Sequence, residues 1–83
     1  MNQEIIKELD KILPVVVRVH GEHHPELAQV AALYARFRQN PDAQTALELR
    51  TVTNHFTAPA DACPTFQKTY ADLAALTGEL ENR

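Results

Sequence analysis

The chain is poor in cysteine, in long apolar runs and in basic charge, and each shortage excludes a class of protein. Cys63 is the only cysteine in the 83 residues, so no disulfide can close within the chain and a reducing cytoplasm is the expected compartment. No apolar run of about 18 residues is present, so we expect no membrane-spanning helix. Eight Lys and Arg against eleven Asp and Glu leave a net charge of −3, which argues against nucleic acid as a partner.

The length of the chain predicts a single domain over residues 1–83. Domains seldom divide below roughly 100 residues, and a chain this short buries a core of modest size. The amino-terminal stretch MNQEIIKELDK mixes charged with apolar residues and lacks an uninterrupted apolar segment, so we do not expect a signal peptide. Because short helices bury little surface, association of copies is an expected route to added stability.

Four segments carry apolar residues at the three- and four-residue spacing of an amphipathic helix. Pro14 interrupts the first segment, which predicts either a kink or a late helix start. The second segment covers residues 25–39. The third begins with Asn40 as N-cap and Pro41 in the first helical position, and runs to about His55. The fourth segment follows Pro64.

The apolar positions of these segments predict the core. They are Ile5, Ile6, Leu9, Leu13, Val16 and Val17 in the first; Leu27, Val30, Ala31, Tyr34 and Phe37 in the second; Ala46, Leu49, Val52 and Phe56 in the third; and Phe66, Tyr70, Leu73 and Leu80 in the fourth. Four helices of similar length with short connections predict an all-α fold, an up-down-up-down four-helix bundle.

This topology gathers polar side chains at one end of the bundle, where helix one ends, helix two begins, helix three ends and helix four begins. The side chains are those of His20, His23, His24, His55, Asp61 and Cys63. A single transition metal such as zinc or iron at this end would use His20, His24 and His55, with His23 or Cys63 as substitutes. The chain contains no HExxH, His-x-x-x-Glu or Glu-x-x-His motif, so the spacing does not itself indicate a metal site.

Structural roles account for the same residues without a metal. His20 continues the apolar stripe of the first helix and is expected to be partly buried, with a hydrogen bond to a loop carbonyl. His23 and His24 are expected either to be hydrated or to pair with Glu22 or Glu26. His55 is expected in the last turn of the third helix, where positive charge is favourable. Cys63 is expected to be an inert buried thiol, because the sequence fixes no histidine beside it.

Two stretches resemble the iron–sulfur-cluster-repair di-iron proteins, whose carboxy-terminal domain is a hemerythrin-like four-helix bundle. They are VHGEHHPEL, residues 19–27, and LRTVTNHFTAPADACPTFQKTYADL, residues 49–73. The positions of that family's iron ligands would fall before Met1, in helical turns missing between Arg38 and Pro41, near Gln39 and at about Arg83. The resemblance therefore implies a hemerythrin-like but shortened bundle that lacks the di-iron site.

These observations predict a small, non-enzymatic helical protein that needs no cofactor. We expect it to act through association with another protein or with itself, with a homodimer as the expected form. The alternative prediction is a metal-binding stress-response protein that uses the histidine-rich loop end of the bundle.

Overall fold

The computed structural model describes residues 2–81 and confirms the all-α prediction. Within that range the chain forms α1 (Gln3–His20), α2 (Glu26–Gln39), α3 (Ala43–Val52) and α4 (Pro64–Glu81), with no strand. α1 packs on α2 and α4, and α3 packs on the same two helices. This pattern of neighbours is that of a four-helix bundle. None of the helices in the described residues has the length and apolar character needed to cross a membrane.

Side-chain contacts show that α1 is antiparallel to both of its neighbours. At one end of the bundle the Asn2 backbone N–H donates to Glu79 Oε2 at 3.1 Å, which ties the start of α1 to the end of α4. At the other end His20 lies against Cys63, next to the start of α4. Arg38 near the end of α2 bonds Asp10 in the first half of α1.

α1 runs without a break through Pro14, so the late helix start is excluded. The helix begins at an Asn2 cap whose Oδ1 accepts from the N–H groups of Glu4 and Ile5 at 2.9 and 3.2 Å. Pro14 has no N–H to donate to the carbonyl of Asp10, the residue four positions earlier in the helix. Its side chain is exposed.

The N-cap of α3 lies two residues later than predicted, at Asp42 where Asn40 was expected. Asn40 is not the N-cap of α3; its N–H donates to the Arg36 carbonyl at 2.9 Å and closes α2. Asp42 takes the capping role instead, since its backbone is extended and its Oδ1 accepts the Thr45 N–H at 2.7 Å. Pro41 therefore lies between the two caps.

α3 ends three residues earlier than predicted. The His55 N–H donates to the Arg50 carbonyl at 2.8 Å and the Asn54 N–H to the Thr51 carbonyl at 3.2 Å, which together form a Schellman motif. Asn54 has φ 51°, the left-handed conformation that this motif requires and that asparagine adopts more readily than most residues. His55 and Phe56 continue in the left-handed region, both with φ 59°. The prediction that His55 lies in the last helical turn was therefore wrong.

The core contains most of the predicted apolar positions and also residues on neighbouring faces of the helices. The buried apolar residues are Ile6, Leu9, Leu13 and Val16 in α1; Leu27, Val30, Leu33, Tyr34 and Phe37 in α2; Ala46 and Leu49 in α3; Ala62 in the loop before α4; and Phe66, Tyr70, Leu73 and Leu76 in α4. Ile5, Val17, Ala31, Val52, Phe56 and Leu80 were predicted as core and are partly buried against it. Leu33 and Leu76 were missed because each helix contacts two neighbours and so buries a broader face than one stripe.

Candidate functional site

Cys63 immediately precedes α4 and interacts with the first turn of that helix. Its Sγ accepts the Phe66 backbone N–H at 3.4 Å, and its carbonyl accepts the Gln67 N–H at 3.0 Å. The thiol thus occupies the position of an N-cap side chain, where unsatisfied N–H groups and the helix dipole favour negative charge. Cys63 is half-buried, so solvent reaches part of the residue.

His20, the last residue of α1, lies directly against this thiol. Its Nε2 is 3.2 Å from Cys63 Sγ, and the two residues are 43 positions apart in the chain. The imidazole is held edge-on to the fully buried ring of Phe66, with ring centroids 5.0 Å apart. His20 is half-buried, as expected, and its Nε2 faces a thiol where a carbonyl partner was expected. The sequence alone fixes no histidine beside Cys63, whereas the tertiary structure places His20 there.

His24 joins the loop before α4 to the start of α2. Its Nε2 donates to both carboxylate oxygens of Asp61 at 3.0 and 3.1 Å, and its Nδ1 lies 3.3 Å from Glu26 Oε2, so His24–Glu26 is the one of the open glutamate pairings that the structure shows. The hydrogen bond to Asp61 is the main reason that the pKa of His24 is raised, and it also holds the pKa of Asp61 below its ordinary value. The His24 ring meets Phe66 at 89°. Both histidines are thereby fixed on one aromatic side chain.

A mostly apolar groove of about 220 Å³ opens beside the thiol, between α1 and the start of α4. Its lining residues are Val15, Val16, Val19, His20, Cys63 and Thr65. Val15 and Val19 are 40% and 60% exposed, so the groove lies at the protein surface. The predicted gathering of polar side chains at this end is confirmed for the His20–Cys63 and His24–Asp61 pairs.

The three predicted metal ligands have different surroundings. His20 faces Cys63, His24 is held by two carboxylates, and His55 is exposed in the left-handed turn after α3. Within residues 2–81, no group of three or more His, Cys, Asp or Glu side chains is arranged to hold a metal ion. The described side chains accordingly do not fit a di-iron centre, which needs several carboxylate and imidazole ligands. His23, a predicted substitute, is exposed.

A second polar cluster lies between α1 and α2, and the sequence analysis missed it. Asp10 accepts from Tyr34 Oη at 2.7 Å and from Arg38 Nη2 at 2.8 Å. The pKa of Asp10 is lowered, first by the hydrogen bond to Arg38 and then by that to Tyr34. This cluster borders an apolar groove of about 370 Å³ that also contains Pro14, Val17 and Ala31.

Fold and site together define a small four-helix protein with a cysteine–histidine pair at one end of the bundle. No family model matches the chain, and no solved structure matches it.

Proposed function

We propose that this chain is a small non-enzymatic protein that associates with a second copy of itself through the outer face of α1. The observation that carries the proposal is the exposure of two valines one helical turn apart, Val15 at 40% and Val19 at 60%. Residues four apart on a helix lie on the same face, so Val15 and Val19 form one apolar surface, and the exposed Pro14 lies about 100° around the helix from Val15. We call Pro14, Val15 and Val19 the α1 surface.

Grooves on both sides extend the α1 surface. The groove beside Cys63 lies toward α4, and the larger groove that contains Leu13 and Val17 lies toward α2. Lys11 and Arg18 are exposed on the helix face between the two grooves, so the apolar contact is made by Val15 and Val19 on one side and Pro14 on the other. Ridges of one helix pack into grooves of another, and the two grooves offer that fit to a second copy.

The charges that flank this surface favour an antiparallel second copy. In an antiparallel crossing centred between Val16 and Val17, Val19 lies opposite Pro14 of the partner subunit. The same crossing places Lys11 opposite Glu22 of the partner subunit, and both of these residues are exposed. The two-fold symmetry of such a dimer makes each of these contacts twice.

The measurement is sedimentation velocity of the full chain from ~1 to ~200 µM, with the dissociation constant as the readout. Val19→Glu places a carboxylate in the centre of the contact, so we expect dimerisation to weaken ~tenfold or more. Leu47→Glu is the matched control, because Leu47 is 51% exposed on α3, away from the α1 surface. A chain that stays monomeric throughout the range, or equal effects of the two variants, would exclude the proposal.

A charge exchange tests the antiparallel crossing itself. Lys11→Glu should weaken the dimer, since it sets two carboxylates opposite each other, and the double variant Lys11→Glu/Glu22→Lys should restore it. Restoration distinguishes a specific contact from a general effect of net charge, because the double variant has the same net charge as the native chain. Failure of the double variant to recover would contradict this crossing.

The relationship to the iron–sulfur-cluster-repair di-iron proteins is part of the same proposal. Its support is the two matching segments, both of which lie at the end of the bundle that contains the cysteine–histidine pair. We propose a hemerythrin-like relative of those proteins in which this end of the bundle holds the cysteine–histidine pair. A cytoplasmic setting belongs to the proposal because a single free thiol suits a reducing compartment.

A further inference from the structure

We propose that Cys63 is a reactive thiol, activated by His20, that forms mixed disulfides with small uncharged disulfides bound in the groove between α1 and α4. Cys63 is not an isolated cysteine, because an imidazole from another helix contacts its sulfur at 3.2 Å. A histidine within hydrogen-bonding reach of a cysteine is the arrangement that activates thiol nucleophiles. The groove also borders the α1 surface that we propose a second copy covers, so the reaction belongs to the monomer.

Two groups of the protein lie within hydrogen-bonding distance of Cys63 Sγ. His20 Nε2 lies on one side of the sulfur, and the Phe66 N–H in the first turn of α4 points at it from 3.4 Å. The thiolate is the form that attacks disulfides, so stabilising it speeds the reaction at neutral pH. Phe66 holds both parts of the arrangement, since its backbone contacts the sulfur and its ring contacts the imidazole.

The groove indicates the class of reagent. It holds about 220 Å³, space for a small molecule, and its walls are mainly the side chains of Val15, Val16 and Val19. Apolar walls favour an uncharged disulfide with small apolar substituents over a charged one, because a charge loses its hydration there without a partner. Cys63 is half-buried at the edge of this groove, which leaves its sulfur within reach of a bound molecule.

The reaction is a thiol–disulfide exchange in which the disulfide itself is the oxidant. The Cys63 thiol transfers its proton to His20 Nε2, its sulfur attacks one sulfur of R–S–S–R, a bond forms between Cys63 Sγ and that sulfur, and the S–S bond of the reagent breaks. The other half leaves as R–S⁻ and takes that proton from His20. Cys63 is oxidised to the mixed disulfide while half of the reagent is reduced, and a second thiol reverses the step.

The test compares the native protein with an unstructured peptide of residues 58–67, using dithiodipyridine as the neutral disulfide. Since Cys63 is the only cysteine, the absorbance of released thiopyridone reports that residue alone. At pH 7 and ~1 µM protein, below the range expected for association, we expect the native thiol to react ~5-fold or more faster than the peptide. An inert, shielded thiol would instead react more slowly than the peptide, and that result would overturn the proposal.

Matched histidine variants assign the effect to the imidazole. His20→Gln keeps a polar side chain of similar size and removes the ionisable ring, so we expect its rate to fall to that of the peptide or below. His23→Gln is the control, because His23 is exposed in the adjacent turn, and we expect it to react like the native protein. Circular dichroism confirms that each variant is folded. Equal rates for the two folded variants would show that His20 does not activate Cys63.

Mass spectrometry and a charged reagent complete the design. We expect one half-reagent adduct per chain, removed by dithiothreitol and absent from Cys63→Ser. Relative to the peptide, we expect the native protein to gain less rate with an anionic disulfide than with dithiodipyridine. An equal gain with both reagents would contradict the role given to the apolar groove.

Discussion

Replacing Pro14 with alanine is expected to stabilise the protein. Proline inside a helix is about 3 kcal/mol less favourable than alanine, because it removes one hydrogen bond and its ring crowds the preceding turn. Pro14 lies inside α1, and its side chain is exposed, so alanine removes little packing. Alanine also raises the conformational entropy of the unfolded chain, which lowers the gain in the free energy of unfolding by about 0.4–1 kcal/mol. We therefore expect the free energy of unfolding to rise by about 2 kcal/mol.

The assay is urea unfolding followed by circular dichroism, with thermal unfolding as a second readout. For a domain of this size, about 2 kcal/mol corresponds to a rise in melting temperature of about 8–16 °C. Lys7→Ala is the control, since Lys7 is exposed in the same helix and lysine and alanine both favour helices; we expect a change within about 0.5 kcal/mol. A Pro14→Ala variant that is no more stable than the native chain would refute the reasoning and show that the packing of Leu13 and Val16 requires the proline geometry.

The same variant links stability to the proposed association. Pro14 belongs to the α1 surface and lies opposite Val19 in the proposed dimer. We therefore expect Pro14→Ala to be more stable as a monomer and weaker as a dimer. This opposition would explain a costly residue in the middle of a helix, because functional surfaces are often kept at the expense of stability.

The remaining predictions concern the histidines. The raised pKa of His24 means that its contribution to stability is present below pH 6.5, its ordinary pKa, and is lost as the pH rises through the folded-state pKa. The stabilising effect of His24 relative to His24→Gln, measured by urea unfolding, should thus be larger at about pH 5.5 than at about pH 8, and an equal difference at both would contradict the Asp61 contact. The pKa of Asp61 is lowered, so the stability that the ionised Asp61 carboxylate contributes is lost as the pH falls through its folded-state pKa, which lies below 3.8. Equimolar zinc should leave the melting temperature unchanged within ~1 °C, because no three ligands converge in residues 2–81; a larger rise that His20→Gln abolishes would support the alternative metal site.

Local signals in the sequence determined the helices and most of the core. Apolar spacing located four helices, and the largest predicted core residues, such as Phe37 and Phe66, are fully buried. The caps were less predictable, since Asn40, Asp42 and Asn54 all favour helix ends and only the backbone shows which end each one closes. The end of α3 is an example. Apolar Phe56 continues the predicted stripe, but α3 ends at Val52 because Asn54 adopts the left-handed conformation that closes the helix.

The sequence by itself placed His20, His24, Asp61 and Cys63 at one end of the bundle, because helix order and short connections determine which ends meet. Only the tertiary structure decided that His20 contacts Cys63 and that His24 contacts Asp61, pairs that are 43 and 37 residues apart. Those contacts depend on helix rotation and on the packing of both rings against Phe66, and a rotation of a fraction of a turn would separate them. Periodicity determines which face of a helix is buried, whereas the contacts of individual side chains are determined by how the four helices pack together.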